Sequence, residues 1–421
     1  MTDSLHSAGG YVALLSIAWL VGTRRGKIPL RTLAVATGLQ VVLTALLLLT
    51  GLRGYVFGVV GGLTDLLKAT ALKANESLLF IGVTNPDFVA TYGPMVALEI
   101  AAVIVFVASL SRVLYHHGIL PWLIGVLSRF VQRAFGISAA ESVGVVGNVF
   151  LGMTEAPLLI RPYIDRLTLS ELFCLMTAGM ATIAGTVMVV YASMLSAAHP
   201  EIAGHLFTAS LISAPAAVAI AKLMMPETDT PATGSEVRID KDDTINALDA
   251  AARGASEGML LFINILAMLI AFIGLVALVN GVIACLEEAL IGADASGTWS
   301  LEAMLGWLFR LPVWFMGVSW QEAEVVGSLM GVKTILNEFV AYVQLSSLMA
   351  DGEQALSERS FLIAVYAMCG FANVGSVAIM IGGIGGIAPS RRGDLARLGL
   401  RSVVSGTIAT MLTGCVVGVF V

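Results

Sequence analysis

The chain is short of charge. Asp, Glu, Lys and Arg supply only 12% of its 421 residues, whereas 57% are hydrophobic and the mean hydropathy is +0.90. A soluble protein of this size needs about a quarter of its residues charged to cover its surface, so a soluble globular fold is excluded. No basic stripe interleaved with aromatics is present, which excludes nucleic acid as a partner. The four cysteines (Cys174, Cys285, Cys369, Cys415) stand singly, with no metal or disulfide spacing, and read as small packing residues. The five histidines form no cluster; the adjacent His116 and His117 diverge around a helix and read as interfacial. The period-2 alternation of a β-barrel is missing too. What the chain does have is a series of apolar runs of about 20 residues, the length a helix needs to cross a bilayer. The reading is an all-α polytopic membrane protein.

Apolar spans are expected near 10–22, 32–51, 93–114, 171–196, 203–223, 257–283, 360–387 and 399–420. Two further apolar stretches, 137–160 and 303–348, are interrupted by polar residues and glycines and read as hairpins. Residues 54–82 and 117–135 look amphipathic and are expected in the interface plane. The polar stretch from Pro226 to Arg253 reads as a surface loop between halves. Arg24, Arg25 and Lys27 follow the first apolar run, which predicts a retained helix entering from outside rather than a cleaved signal. With the N-terminus outside, all Lys and Arg except Arg53, Lys68, Lys73, Arg310, Lys333 and Arg359 fall on the cytoplasmic side, as the positive-inside rule requires.

An internal repeat carries the functional signal. Gly179-Met180-Ala181-Thr182-Ile183-Ala184-Gly185-Thr186-Val187 and Gly370-Phe371-Ala372-Asn373-Val374-Gly375-Ser376-Val377 share the pattern Gly, apolar, Ala, polar, β-branched, Gly, hydroxyl, Val, with one residue inserted. Each lies mid-span, and each follows a Glu-bearing hairpin: Thr154-Glu155-Ala156-Pro157 in the first half, Asn337-Glu338-Phe339 in the second. One such motif reads equally well as small-residue helix packing. Two copies, in hairpins that enter from opposite faces, point instead to interrupted helices meeting at a transporter's midplane site.

A carboxylate facing lipid costs at least about 2.5 kcal/mol, so Glu155 and Glu338 should face a shared polar cavity. Glu322 and Glu324 fit gating or capping as well as ligand contact. Asn148, Thr154, Thr182, Asn373 and Ser376 supply neutral oxygens and amides suited to a sodium ion, and carboxylates suit hydroxyl donors. No Lys or Arg is expected between the repeats, so the substrate should be a neutral, hydroxyl-rich solute moving with a cation. An intramembrane enzyme is disfavoured because no membrane-buried His is expected, and a channel because the site is single and discrete.

The segments 147–158 (Gly-Asn-Val-Phe-Leu-Gly-Met-Thr-Glu-Ala-Pro-Leu), 333–342 (Lys-Thr-Ile-Leu-Asn-Glu-Phe-Val-Ala-Tyr) and 369–376 (Cys-Gly-Phe-Ala-Asn-Val-Gly-Ser) resemble, in order, the first hairpin, second hairpin and seventh, discontinuous helix of the concentrative nucleoside transporters. The resemblance runs from about residue 10 to the C-terminus. It implies eight transmembrane helices, two re-entrant hairpins, inverted repeats with discontinuous helices, a homotrimer and an elevator mechanism in a bacterial inner membrane. It divides the chain into N-terminal scaffold helices (1–53), interfacial helices with a third scaffold helix (54–136), a first transport repeat (137–225), a loop with a scaffold helix (226–300) and a second transport repeat (301–421). By the same resemblance Met153, Thr154 and Glu155 lie at the nucleobase, and Glu338, Asn373 and Ser376 at the ribose, with Val187 and Phe371 packing nearby. Sodium maps to Asn148, the Leu151 carbonyl, Thr182 and the Ile183 carbonyl. Two positions depart from the family pattern. Met153 replaces a frequent Gln, and a thioether cannot read a base edge as an amide does; Thr182 replaces a frequent Ser and keeps the hydroxyl. The implied activity is sodium-coupled import of a nucleoside such as uridine, with no organic cofactor; proton coupling through Glu155 or Glu338 is the alternative.

Overall fold

A computed structural model describes residues 2–23, 28–79, 96–234, 237–239, 243–291, 299–350 and 356–421. Arg24, Arg25, Lys27 and Lys241, which entered the orientation argument, lie outside the described residues, as do the end of the expected 54–82 segment and the start of the expected 93–114 span. The described chain is helical. Its elements are α1 (Thr2–Val21), α2 (Leu30–Leu49), α3 (Leu52–Leu79), α4 (Val96–His116), α5 (Ile119–Phe135), α6 (Ala139–Phe150), a 3-10 segment (Ala156–Arg166), α7 (Leu169–Ala181), α8 (Gly185–Leu195), α9 (Ile202–Met224), α10 (Ala247–Ile291), α11 (Leu301–Phe315), α12 (Ala323–Ile335), α13 (Glu338–Ala350), α14 (Glu358–Met368), α15 (Val374–Ile387) and α16 (Arg392–Phe420).

Among the described residues, eight helices are long and apolar enough to cross a membrane. Their membership differs from expectation at two places. Leu52–Ala74, read from sequence as interfacial, is one of them; Asp65, Lys68 and Lys73 break up its apolar sequence but leave its length intact. Residues 360–387, read as one span interrupted at 370–377, form two short helices, α14 and α15, on either side of that interruption. α5, over the segment read as amphipathic, buries Ile124, Ser128 and Phe135 and exposes Trp122 and Phe130.

α9 and α16 form the centre. Each is buried along most of its apolar length, and α7, α2 and α14 pack around them. Ser213 and Thr413 meet across the α9–α16 contact at 3.1 Å, so each satisfies a hydroxyl that hydrocarbon would leave unpaired. α10 is the opposite case. It packs on α4, but the most apolar part of its length is not buried by this chain. At 45 residues it spans about 68 Å at 1.5 Å per residue, well beyond a hydrocarbon core of about 30 Å.

Local sequence sets where the core helices start. Ser138 caps α6 by accepting from the Glu141 N–H at 3.2 Å, Thr168 and Glu171 form a reciprocal capping box on α7, and Ser357 caps α14. The core helices also stop in mid-course. After Ala181 the chain turns extended at Thr182 (φ −117°, ψ 167°), then restarts at Gly185 as α8. The β-branched pair Thr182-Ile183 favours that extended backbone. After Met368 the chain leaves the helix through Cys369 and Gly370 and restarts at Val374, where the Asn373 side chain accepts from the Ser376 N–H at 2.7 Å.

Candidate functional site

The two helix breaks touch. A methyl group on Gly370 would stand 2.8 Å from the Met180 carbonyl oxygen and 2.8 Å from Thr410 Cγ2, so only glycine lets the second break approach the end of α7 this closely. Gly406 of α16 seats against Met180, two residues before Thr182, and against Ala372 inside the second break.

Around the first break the groups are neutral oxygens. Asn148, on the last turn of α6, is 1% exposed and donates from Nδ2 to the Gly144 carbonyl at 2.8 Å. Its Oδ1 is buried and has no hydrogen-bond partner in the protein. Thr182 Oγ1 lies 2.9 Å from the Asn148 carbonyl and 2.9 Å from the Ala178 carbonyl, bridging hairpin and break. Leu151 and Ile183 are both buried, as the C-cap of α6 and the middle of the break. The C-terminal ends of α6 and α7 therefore converge here, and both dipoles present negative ends. An unpaired buried amide oxygen costs about 1–3 kcal/mol. A small cation would satisfy that oxygen together with the carbonyls beside it, so the donor set fits sodium.

Around the second break lies a buried carboxylate. Glu338, 6% exposed at the first turn of α13, accepts from Tyr191 Oη at 2.8 Å and from Asn373 Nδ2 at 3.1 Å. Asn373 spends its oxygen on the Ser376 N–H and so orients its amide toward the acid. Asn337 caps α13 through the Val340 N–H at 2.9 Å, which fixes the turn that presents Glu338. Tyr191 stacks on Tyr342 at 4.4 Å between ring centroids and meets Phe339 edge-on at 6.0 Å. Val187, one helical turn before Tyr191 on α8, is buried; Phe371 in the break is half-buried. Glu338, Asn373, Ser376 and Val187 are thus carried by three elements that meet. Tyr191 was not singled out from sequence, where it sits in a wholly apolar run; its i, i+4 spacing from Val187 was the available signal.

The Met153-Thr154-Glu155 group sits elsewhere. Met153 packs against Gly179, where a methyl would stand 2.9 Å from its Cβ. Thr154 packs against Gly383 of α15, with a methyl there 2.5 Å from its Cγ2. Glu155 is exposed and accepts from the Gly152 N–H at 3.2 Å. Glu338 binds the residue that caps α15, and Thr154 abuts Gly383, ten residues and about 15 Å of rise further along that helix. Both acids thus lie along α15, Glu338 enclosed at its start and Glu155 exposed beside the residue that packs on Gly383.

Two other expectations change, and the open reading of Glu322 narrows. Lys333 is fully buried, with Nζ 2.8 Å from the Ala367 carbonyl and 3.0 Å from Thr410 Oγ1, so a cation does lie within the core. His205 is buried on α9, inside a candidate span, and bonds the Tyr366 hydroxyl at 3.0 Å, so a membrane-buried His exists. Glu322 is a clamp: it accepts from Ser319 Oγ (2.7 Å), Ser360 Oγ (2.7 Å) and Ser357 Oγ (3.1 Å), tying the start of α12 to that of α14. No group of three metal-ligating side chains occurs among the described residues, and Cys174, Cys369 and Cys415 are buried free thiols.

A polytopic helical bundle with two interrupted helices crossing at a buried polar centre is the form of a membrane transporter. Three family models match in order: the Na+ dependent nucleoside transporter N-terminus over residues 9–73, a nucleoside recognition (gate) region over 97–198, and the Na+ dependent nucleoside transporter C-terminus over 205–418. The nucleoside permease NupC of Helicobacter pylori is 35% identical over 100% of this chain and 98% of its own length. Mouse solute carrier family 28 member 3 is 36% identical over 99% of this chain, which spans 59% of that longer protein. CNTnw in an inward-facing, substrate-bound state superimposes with a TM-score of 0.90 at 38% identity over 99% of this chain and 98% of that one. A substituted form of CNTnw in an outward-facing state gives 0.91. The chain belongs to the concentrative nucleoside transporter family, and it is a transporter rather than an enzyme.

Proposed function

We propose that the protein is a sodium-coupled symporter that imports nucleosides, uridine among them, across a bacterial inner membrane. One sodium ion and one nucleoside bind between the hairpin tips and the broken helices. The loaded transport domain, residues 137–225 with 301–421, then slides elevator-fashion against a trimeric scaffold, with the two hairpins re-entrant. Glu338, Asn373 and Ser376 take the ribose hydroxyls, Tyr191 holds the Glu338 carboxylate in place, Val187 and Phe371 pack on the sugar, and Met153, Thr154 and Glu155 line the base. A sugar beside Asn373 leaves the base extending along α15 toward Thr154, which suits acids spaced along that helix rather than side by side. The uncovered apolar length of α10 suits a scaffold helix facing lipid or a second protomer.

The observation that carries the sodium reading is Asn148 Oδ1, a buried amide oxygen without a partner, held where two helix C-termini converge. It calls for a cation that lies among neutral oxygens, which a titrating carboxylate does not provide. Each sodium charge moving inward gains about 2.3 kcal/mol per 100 mV of membrane potential, enough to concentrate a neutral solute. The test is uridine uptake into proteoliposomes. An inward sodium gradient at fixed pH should drive accumulation; a pH gradient in sodium-free medium should not. Proton-driven accumulation without sodium would overturn the reading.

A further inference from the structure

The two repeats match in helix register as well as in motif. α6 ends at Phe150 with Leu151 as C-cap, and α12 ends at Ile335 with Leu336 as C-cap. Counting back from each cap, Asn148 and Lys333 hold the same station. Across the α9–α16 contact Ser213 pairs with Thr413, and one turn earlier on each helix stand Ser210 and Thr410. Ser210 Oγ reaches the Ile183 carbonyl of the first break at 3.5 Å; Thr410 Oγ1 receives the Lys333 ammonium at 3.0 Å. The other partner of Lys333 is the Ala367 carbonyl, in the last turn of α14, the half-helix that corresponds to α7. In both repeats, then, the C-terminal end of a hairpin helix meets the C-terminal end of a broken helix beside a hydroxyl of the central pair. Where the first repeat has the unpaired oxygen of Asn148, the second has a buried ammonium on neutral oxygens.

We infer that Lys333 is a tethered cation, standing in the second repeat where the first repeat takes its sodium, so that the second repeat binds no ion and the cycle carries one sodium per nucleoside. The inference rests on the sodium assignment proposed above. Two converging helix C-termini favour positive charge whatever its source. An ion can leave, whereas Lys333 is bonded to the chain and keeps α12 fastened to α14 through the whole cycle. Sodium therefore acts on one hairpin only: its departure frees the first hairpin from α7, while the second stays pinned. Glu338, five residues beyond Lys333, is held in position without help from an exchangeable ion.

The test counts ions. In wild-type proteoliposomes the charge moved per uridine should be about one elementary charge and the sodium Hill coefficient about 1; a ratio of two overturns the inference without any variant. Lys333→Asn copies the first repeat into the second. It should raise the Hill coefficient toward 2 and make uptake need roughly tenfold more sodium, while Lys333→Arg keeps the coefficient near 1. A Lys333→Asn protein with wild-type uptake and an unchanged coefficient overturns the inference; if that variant does not accumulate, the wild-type ratio decides. Asn148→Ala separates the two readings. Sodium dependence surviving Asn148→Ala sinks the sodium assignment itself, whereas its loss, alongside an unaltered Lys333→Asn, sinks only the role of Lys333.

Discussion

The two repeats share a skeleton and differ in what it carries. Each has a hairpin, a half-helix that breaks, a second half-helix and a long helix that joins the central pair. Each also has a carboxylate at its base that ties the hairpin to the broken helix. In the first repeat Glu171 accepts from Ser138 Oγ at 2.5 Å and from the Thr168 N–H at 2.7 Å; in the second, Glu322 accepts from Ser319, Ser357 and Ser360. Above those matching bases the chemistry diverges. The first break gathers neutral oxygens with one unpaired, and the second gathers a carboxylate, an ammonium and a phenol. On the proposed function, the differences at matched stations (Asn148 against Lys333, Thr182 against Cys369) divide the work between ion and solute.

Removing the acid of the second repeat should have the largest effect. Glu338→Gln keeps the volume but loses the charge that accepts from Tyr191, Asn373 and, on the proposed function, ribose hydroxyls. Hydrogen bonds to a charged group are worth about 1.5–3 kcal/mol each, so uridine uptake should fall more than about 100-fold while the protein still elutes as a folded species on size exclusion. Uptake at the wild-type rate would contradict the ribose role. Tyr191→Phe removes one of those bonds and should raise the uridine KM about tenfold, with a smaller change in the maximal rate. Gly370→Ala tests the contact between the breaks. Its methyl would meet the Met180 oxygen, and the backbone shift should cost about 1–3 kcal/mol, read as a lower Tm in detergent.

The basal clamps should give the smallest effect. Burial works against the charge on Glu322, but hydrogen bonds from Ser319, the Ser357 N–H, Ser360 and the Ser357 hydroxyl outweigh it and hold the carboxyl below its ordinary range. A carboxyl depressed in the folded state contributes stability above its unfolded pKa and loses it as pH falls through the lower, folded value. Wild-type Tm should therefore drop on acidification below about pH 4, and Glu322→Gln should flatten that part of the profile. A profile that Glu322→Gln leaves unchanged would remove the clamp.

Much of this frame was legible in the sequence. The duplicated Gly-x-Ala-polar motif marked both breaks, because a glycine beside a β-branched or polar residue in mid-span is a poor place to continue a helix. Glu338, Asn373 and Asn148 stood out because amides and acids are conspicuous in apolar runs. Less legible were residues whose meaning depends on long-range partners. Lys333 read as a hairpin charge, and nothing local announces that Ala367 and Thr410 receive it. Tyr191 is hidden among valines and methionines. Glu155 resembles Glu338 in context, yet one is open and the other enclosed, since that depends on how the chain packs along α15. The helix over 52–74, read as interfacial, is also long and apolar enough to cross a membrane despite three charged residues, so its composition fits both placements.

The division of labour predicts that the ion held in the first repeat strengthens the hold on solute in the second. Calorimetric titration of uridine into purified protein, with sodium and with choline in its place, measures that coupling directly. Sodium should tighten uridine binding several-fold or more in the wild type, within the roughly 5- to 150-fold range of such linkages, and should have no effect in Asn148→Ala. Equal uridine affinity in sodium and choline for the wild type, or an undiminished sodium effect in Asn148→Ala, would contradict it.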